Sequence, residues 1–337
     1  MNPFFDPTFE TYYHKYPLRL VDIGVRGGIH ARWNQCRKHL QVIGFEPDPE
    51  AFRALANESS GSKSHTYLNT ALSNVDGQAD FYNTRSPGSS SLLRPNAKFL
   101  SEFPEADRWD IISTTKVIVT PLDRVLREAG IDGVDFIKLD TQGTELLILQ
   151  GGSKTLDKSV FGIEVEVEFA ELYQEQPMFS DVDQYLRSLG FALFDMRTID
   201  WKRENAKYIG GRKGQMVFAD ALYLKTPEAL LIDADCSKAA FLKALTICVV
   251  YGYLDYALSL CEQAHGLNTL EDKELDLITK HLRKPRHLAF AWPGFRGRDR
   301  IANAIYMIYD VFRSRDWSHS GSSGRYLGND GDPLIRG

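Results

Sequence analysis

Residues 20–46 read LVDIGVRGGIHARWNQCRKHLQVIGFE. A short apolar run, Leu18 and residues 20–23, carries a single acid, Asp22. Glycines at 24, 27 and 28 follow. Residues 29–40 can be helical, and a second apolar run, 42–45, ends on Glu46. The order predicts a strand, a glycine turn, a helix and a second strand, which is one βαβ unit. An acid at the carboxyl end of the second strand, roughly 20 residues past a glycine turn, stands where ribose hydroxyls are held. The alternative is a purely structural turn with a solvated Glu46.

A dinucleotide site needs G-x-G-x-x-G, because its second glycine lets the backbone approach a pyrophosphate. Arg26 occupies that position here. The order V-D-I-G-x-x-x-G instead resembles motif I of class I S-adenosylmethionine (AdoMet) methyltransferases, whose ligand has no phosphate. Asp22 and Gly24 would then set the turn, Gly28 would let the helix pack closely, and Glu46 would accept from the ribose. Arg26 and Pro47, in the same two loops, are expected to contact AdoMet as well.

Beyond this unit, strands are expected at 65–69, 116–120, 134–139, 161–167, 191–196 and 216–224, with 78–82 in a hairpin. Helices are expected after Pro47, at 121–129 with Thr120 as cap, at 144–150 and at 181–189. This alternation over 18–224 argues for a doubly wound, mostly parallel α/β sheet. Open sheets of this kind bind ligands beyond the carboxyl ends of their strands. Asp140 sits at such an end, as a base, an acceptor-positioning group or a metal ligand, or else as a helix cap. Lys138, two residues earlier, would pair with Asp140 or Glu145. In I-E-V-E-V-E-F, alternation puts Glu164, Glu166 and Glu168 on one strand face. On a central strand these acids would be costly to bury unpaired. Asp140, Glu166 and Glu168 together form the candidate set for a divalent cation, an alternative rather than the main reading. His30, just past the glycine turn, is a further candidate base, or simply an exposed helix-start histidine. The loop 85–94, RSPGSSSLLR, reads as a surface loop or as a lid.

Composition narrows the function classes. The 337 residues are 43% hydrophobic and 25% charged, with a net charge of −5, so nothing suggests nucleic-acid binding. The four cysteines form no C-x-x-C pair, and no basic-then-apolar leader opens the chain, so a reduced, cytoplasmic protein is expected. The longest apolar candidate, 239–260, is broken by Lys243 and Asp255, so no membrane span is expected. Neither a G-x-S-x-G elbow nor a P-loop occurs. Four parts are expected: an aromatic arm at 1–17, the sheet domain at 18–226, a helical extension at 227–316 and a disordered tail at 317–337. The extension should contain an αα-hairpin, 239–250 and 253–264, turning at Gly252. The basic and aromatic residues at 282–300 read as a solvated helix end with packed rings.

The pieces VDIGVRGG, FEPDPEAF, LNTALSNVDGQADFY, GSSSLL, TPLDRVL, FIKLDTQGTELLILQGG and EVEVEFAELY, in that order, resemble the FkbM family of AdoMet-dependent O-methyltransferases. The resemblance covers about residues 18–224 and leaves 228–337 outside. It implies a seven-stranded class I methyltransferase (Rossmann-like) sheet with its last strand antiparallel and methyl transfer to a hydroxyl, usually of a sugar in a glycan, sugar nucleotide or glycosylated metabolite. By the same likeness Asp22, Gly24, Gly28 and Glu46 bind AdoMet, Asn69, Ala71 and Ser73 lie on the adenine side, and Asp140 lies near the methyl group. Read from the residues rather than from the likeness, Asp140 would act as base or metal ligand, with Glu166 or Glu168 positioning the sugar. The chain departs from the family pattern at Arg26 and at Thr141-Gln142, where Val-Glu is common. Two rival readings are an NAD(P)-dependent oxidoreductase and a non-catalytic AdoMet-binding or scaffold protein. The partners expected are a small-molecule or glycan acceptor and, through the C-terminal helices, a second copy or another glycan enzyme.

Overall fold

The computed structural model describes residues 7–25, 28–58, 64–209, 214–231, 237–283, 295–312, 317–320 and 327. Arg26 and most of the basic and aromatic stretch at 282–300 lie outside them. The strands are β1 Leu18–Ile23, β2 Leu40–Phe45, β3 His65–Leu68, β4 Ala71–Ser73, β5 Gly77–Thr84, β6 Ile111–Pro121, β7 Phe136–Leu139, β8 Gly162–Glu168, β9 Phe191–Trp201, β10 Gln215–Lys225 and β11 Ser318–Ser320.

Eight of them form one sheet in the order β11-β9-β10-β8-β7-β1-β2-β3. Strands β3, β2, β1, β7 and β8 pair in parallel, and β10 runs antiparallel to both β8 and β9. The seven strands from β3 to β9 are the doubly wound, mostly parallel sheet expected of a class I methyltransferase, with its last strand antiparallel. From β1 the chain winds outward through β2 and β3, then returns to the other side of β1 as β7. The switch point therefore lies between the carboxyl ends of β1 and β7, where open sheets bind ligands.

Four expectations need correction. The segment expected as a helix from Ile29 is a 3-10 helix, Ala31–His39. Its buried Trp33, Cys36 and His39 recur every third residue, the period at which 3-10 side chains line up. The stretch around 116–120 does not enter the main sheet: β6 lies between β4 and β5 in a separate three-stranded sheet. Pro121, not Thr120, occupies the cap of the helix Leu122–Glu128. Within the tail expected to be disordered, Ser318–Ser320 pairs antiparallel with Trp201, Asp200 and Ile199 as an edge strand.

Helices Leu122–Glu128, Glu145–Gly151, Ser153–Lys158 and Phe179–Ser188 bring the apolar side chains that pack on one sheet face with Val21, Ile137, Ile163 and Val165. The other face, with Leu18, Leu20, Phe136, Leu222 and Leu224, is covered by Pro7–Lys15, the 3-10 helix and Lys238–Tyr251, behind which Leu254–Gly266 and Asp272–Leu282 pack. The 3-10 helix is short and polar, and the C-terminal helices supply most of the apolar cover that a doubly wound sheet needs on this face. Lys238–Tyr251 is buried along nearly its whole length, as expected of a helix apolar on every side. Polar ties fix it: Lys243 Nζ lies 3.0 Å from Asp135, Tyr251 OH donates to Glu164 at 2.6 Å, and Tyr13 OH donates to the Leu242 carbonyl at 3.1 Å. The C-terminal helices thus belong to the core of the sheet. Gly252, left-handed at φ +88°, ends the first helix and turns the chain into the next, as the sequence predicts. The helix Arg298–Phe312 exposes Ile301, Ile305, Met307, Ile308 and Phe312. No helix among the described residues is long and apolar enough to cross a membrane.

Candidate active site

A cavity of about 280 Å³ opens at the switch point. The end of β1 contributes Ile23 and Gly24, the end of β2 Phe45, Glu46 and Pro47, and the end of β7 Asp140, Thr141 and Gln142. Ala71 and Leu72 come from β4 and Thr70 from just before it, while Phe81, Pro87, Gly88, Ser90 and Leu92 come from β5 and the loop after it. Gly24 explains why the two central strands can approach so closely there. Its φ is +83°, and a Cβ on it would stand 2.0 Å from the Asp140 carbonyl oxygen. Only glycine meets both conditions.

Of the residues read from the sequence as AdoMet-binding, Gly24, Glu46, Pro47, Ala71 and Asp140 lie on the cavity wall. Glu46 is 4% exposed, and one of its carboxylate oxygens accepts from the Asp48 amide at 2.9 Å. Asn69 acts from behind: its amide donates to the Glu46 and Pro47 carbonyls at 2.8 and 3.1 Å and so holds the loop that carries the acid. Ser73 is buried off the wall. Gly28, left-handed at φ +84°, donates to the Val25 carbonyl and closes the turn. Asp22 lies beneath the wall, 2% exposed, with Oδ1 buried and without a hydrogen bond. Lys138 Nζ is 4.0 Å from that oxygen and 3.8 Å from Asp140 Oδ2, so Lys138 pairs with these two acids rather than with Glu145. Burial pushes Asp22 up to about 6 against the pull of Lys138.

Three catalytic candidates stand elsewhere. His30 caps the 3-10 helix, its Nδ1 accepting from Arg32 N and Nε at 3.2 Å each, and it is absent from the wall. Glu166 and Glu168 lie on a central strand, buried behind Gln142. Glu164, the third acid of that face, is taken up by Tyr251 and by Arg32 at 3.5 Å. Glu166 accepts from Gln142 Nε2 at 2.8 Å. For a cation, Glu145 rather than Asp140 completes the set: oxygens of Glu145, Glu166 and Glu168 lie within 4.8 Å of one another. Burial, with repulsion from neighbouring acids that include Asp140 and Glu145, holds Glu166 and Glu168 well above the usual carboxylate range, which favours their protonated forms. Burial brings Glu145 up to about 6, opposed by hydrogen bonds from Thr141. Glu145 also closes the turn after β7, accepting from Thr141 N, Thr141 Oγ1 and Gly143 N at 2.7 to 2.9 Å.

Asp140 does not cap the following helix, whose cap position is Thr144. Its side chain is 43% exposed, with Oδ1 accepting from Gln142 Nε2 at 3.0 Å. The wall residues that sequence reasoning missed are mostly apolar: Ile23, Phe45, Leu72, Phe81 and Ile148. As members of strands and helices they carry no mark that separates a cavity wall from a core. The loop at 85–94, whose small polar composition does stand out, lines the cavity through Pro87, Gly88, Ser90 and Leu92.

This arrangement fits AdoMet. An apolar slot between Ile23, Phe45, Leu72 and Ile148 suits an adenine, and a buried acid at the end of β2 suits ribose hydroxyls. Relatives agree. The description Methyltransferase FkbM domain matches residues 22–193, just over half of the chain. The 2-O-methyltransferase NoeI of Sinorhizobium fredii (strain NBRC 101917 / NGR234) is 34% identical over 165 residues, covering 47% of this chain. The chain spans 66% of that relative's length. Among solved structures, the methyltransferase FkbM from Methylobacillus flagellatus KT aligns over 62% of this chain and 43% of its own at 14% identity, with a TM-score of 0.34. Magnesium protoporphyrin IX methyltransferase (ChlM) from Synechocystis PCC 6803, with bound SAM, aligns over 62% and 71% at 9% identity, with a TM-score of 0.32. On the domain match, over a sheet whose switch point holds the cavity, the chain belongs to the FkbM methyltransferase family.

Proposed function

We propose that the protein transfers a methyl group from AdoMet to a hydroxyl of a sugar, in a glycan, a sugar nucleotide or a glycosylated metabolite. The observation that carries the reading is Asp140: a half-exposed carboxylate on the wall of the cofactor cavity, with one oxygen held by Gln142 and the other facing Lys138. AdoMet supplies a methyl group on a sulfonium, which needs alignment more than activation. The protein must hold the acceptor oxygen in line with that methyl group and take its proton. Asp140 is the group on the wall suited to take it. Lys138 faces Oδ2, and Gln142 fixes Oδ1, so the carboxylate keeps one orientation while it accepts the proton. The relative named as a 2-O-methyltransferase supports oxygen as the atom methylated.

The test uses a panel of simple methyl glycosides as acceptors, with S-adenosylhomocysteine as the product read. Asp140→Asn removes the proton acceptor and keeps the shape. It is expected to lower kcat by about 100-fold or more while AdoMet affinity stays within about threefold of wild type. Full turnover by Asp140→Asn would remove Asp140 from the mechanism.

A further inference from the structure

Gln142 is the residue on which the site converges. It is left-handed at φ +61°, a conformation that costs a side-chain-bearing residue energy unless its surroundings impose it. Its surroundings do. The side-chain amide donates to Asp140 Oδ1 at 3.0 Å and to Glu166 Oε2 at 2.8 Å. Its Oε1 accepts from Tyr173 OH at 3.0 Å, and its main-chain carbonyl accepts from Ser91 Oγ at 2.8 Å. Tyr173, fully buried, shares its one hydroxyl proton between that oxygen and the Ser89 carbonyl, which lies 2.9 Å away. The loop at 85–94 therefore has two sides. Gly88, Ser90 and Leu92 line the cavity, while Ser89 and Ser91 bond to Tyr173 and Gln142.

We propose that Gln142 is a positioning residue that joins the acid to the loop: its amide aims Asp140, and its two carbonyls, through Tyr173 and Ser91, hold the 85–94 loop in register with that same carboxylate. The proposal rests on Asp140 acting in the transfer. The two halves separate by chemistry. Gln142→Glu keeps an oxygen for Tyr173 and the main-chain carbonyl for Ser91, but loses the donor to Asp140 and Glu166. Gln142→Met, of similar length, loses all the side-chain bonds. Tyr173→Phe loses only the side-chain link to the loop.

The loop half is read on AdoMet-loaded protein by limited trypsin cleavage after the exposed Arg85, which needs no acceptor. Gln142→Met and Tyr173→Phe are expected to be cut about tenfold faster than wild type, and Gln142→Glu at the wild-type rate. The aiming half is read with the glycoside panel at saturating AdoMet: Gln142→Glu loses about 30-fold or more in kcat. The introduced carboxyl would face Asp140, Glu166, Glu145, Glu168 and Tyr173, with Lys138 beyond Asp140. Protonated, it can donate again, so Gln142→Glu is expected to recover relative to wild type as the pH falls from about 8 to about 5. A purely structural role would show no such recovery. Equal cleavage of wild type, Gln142→Met and Tyr173→Phe overturns the proposal, as does wild-type kcat in Gln142→Glu. If no glycoside accepts methyl although AdoMet binds, the sugar reading fails and the cleavage arm alone decides the inference.

Discussion

Replacing Gly24 by alanine tests the close approach on which the cavity depends. A Cβ there would lie 2.0 Å from the Asp140 carbonyl oxygen, and contacts under 3.0 Å are not sustained. Both partners are backbone at strand ends, so no side chain can swing aside, and β1 and β7 must part by about 1 Å. The Asp140 N to Ile23 O hydrogen bond, 3.1 Å long, spans that gap and would weaken. The left-handed conformation adds about 1–2 kcal/mol for alanine, and the weakened bond about 1 kcal/mol. The sum, on the order of 3 kcal/mol, corresponds to a fall in Tm of roughly 6 °C for a chain of this size. A cavity wall displaced by about 1 Å should also weaken AdoMet binding by about 30-fold or more. Gly28→Ala is the control. Gly28 is left-handed at φ +84°, but a Cβ on it would meet nothing within 4 Å, so it should cost only the backbone term, about 1–2 kcal/mol. Calorimetry with AdoMet and a thermal melt on both variants decide the matter. Gly24→Ala matching Gly28→Ala in Tm and in affinity would refute the claim that the β1–β7 junction shapes the site.

The buried acids predict an unusual pH dependence. Asp22 and Glu145 are raised to about 6, and Glu166 and Glu168 lie well above their ordinary value, so the native protein keeps protons that the unfolded chain releases. Stability from these groups is full below their unfolded pKa values and is lost as the pH rises through the folded ones. Without ligand, Tm should fall between about pH 5 and pH 8, and Glu168→Gln should stabilise at pH 8 by about 1–2 kcal/mol while flattening that slope; an unchanged slope would show that Glu168 is ionised in the native protein. Leu245→Ala, in a fully buried position under the sheet, should cost about 2–5 kcal/mol in chemical denaturation, and a cost below about 1 kcal/mol would mean that the C-terminal helices are not part of the sheet's core.

The fold was legible where local chemistry and topology agree. Asp22, Gly24 and Glu46 mark the first βαβ unit because a tight turn and a terminal acid leave composition signals, and Gly252 marks a helix end in the same way. What escaped the sequence depended on distant partners. Residues 116–120 read as one more strand of the alternation, yet β6 pairs with β4 and β5, and nothing in KVIVT distinguishes the two sheets. Ser318–Ser320 is too short and polar to announce itself, and β9 supplies its ladder. The alternation of Glu164, Glu166 and Glu168 gave their common face correctly, and their cost on a central strand was foreseeable. The relief of Glu164 by Tyr251 and Arg32, and of Glu166 by Gln142, comes from residues far along the chain or after another strand. Gln142 illustrates the limit of motif reading. In sequence it is a missing acid, whereas in the structure its two amide hydrogens are what the neighbouring carboxylates require.

The most direct test of the account is calorimetric titration of the protein with AdoMet, on wild type and Glu46→Ala, with NADH as control. AdoMet should bind wild type with micromolar affinity, NADH should not, and removing the buried acid at the end of β2 should weaken AdoMet by about tenfold or more, the loss expected when ribose hydroxyls lose a charged acceptor. Preference for NADH, or AdoMet binding untouched by Glu46→Ala, would contradict the assignment of this cavity to the methyl donor.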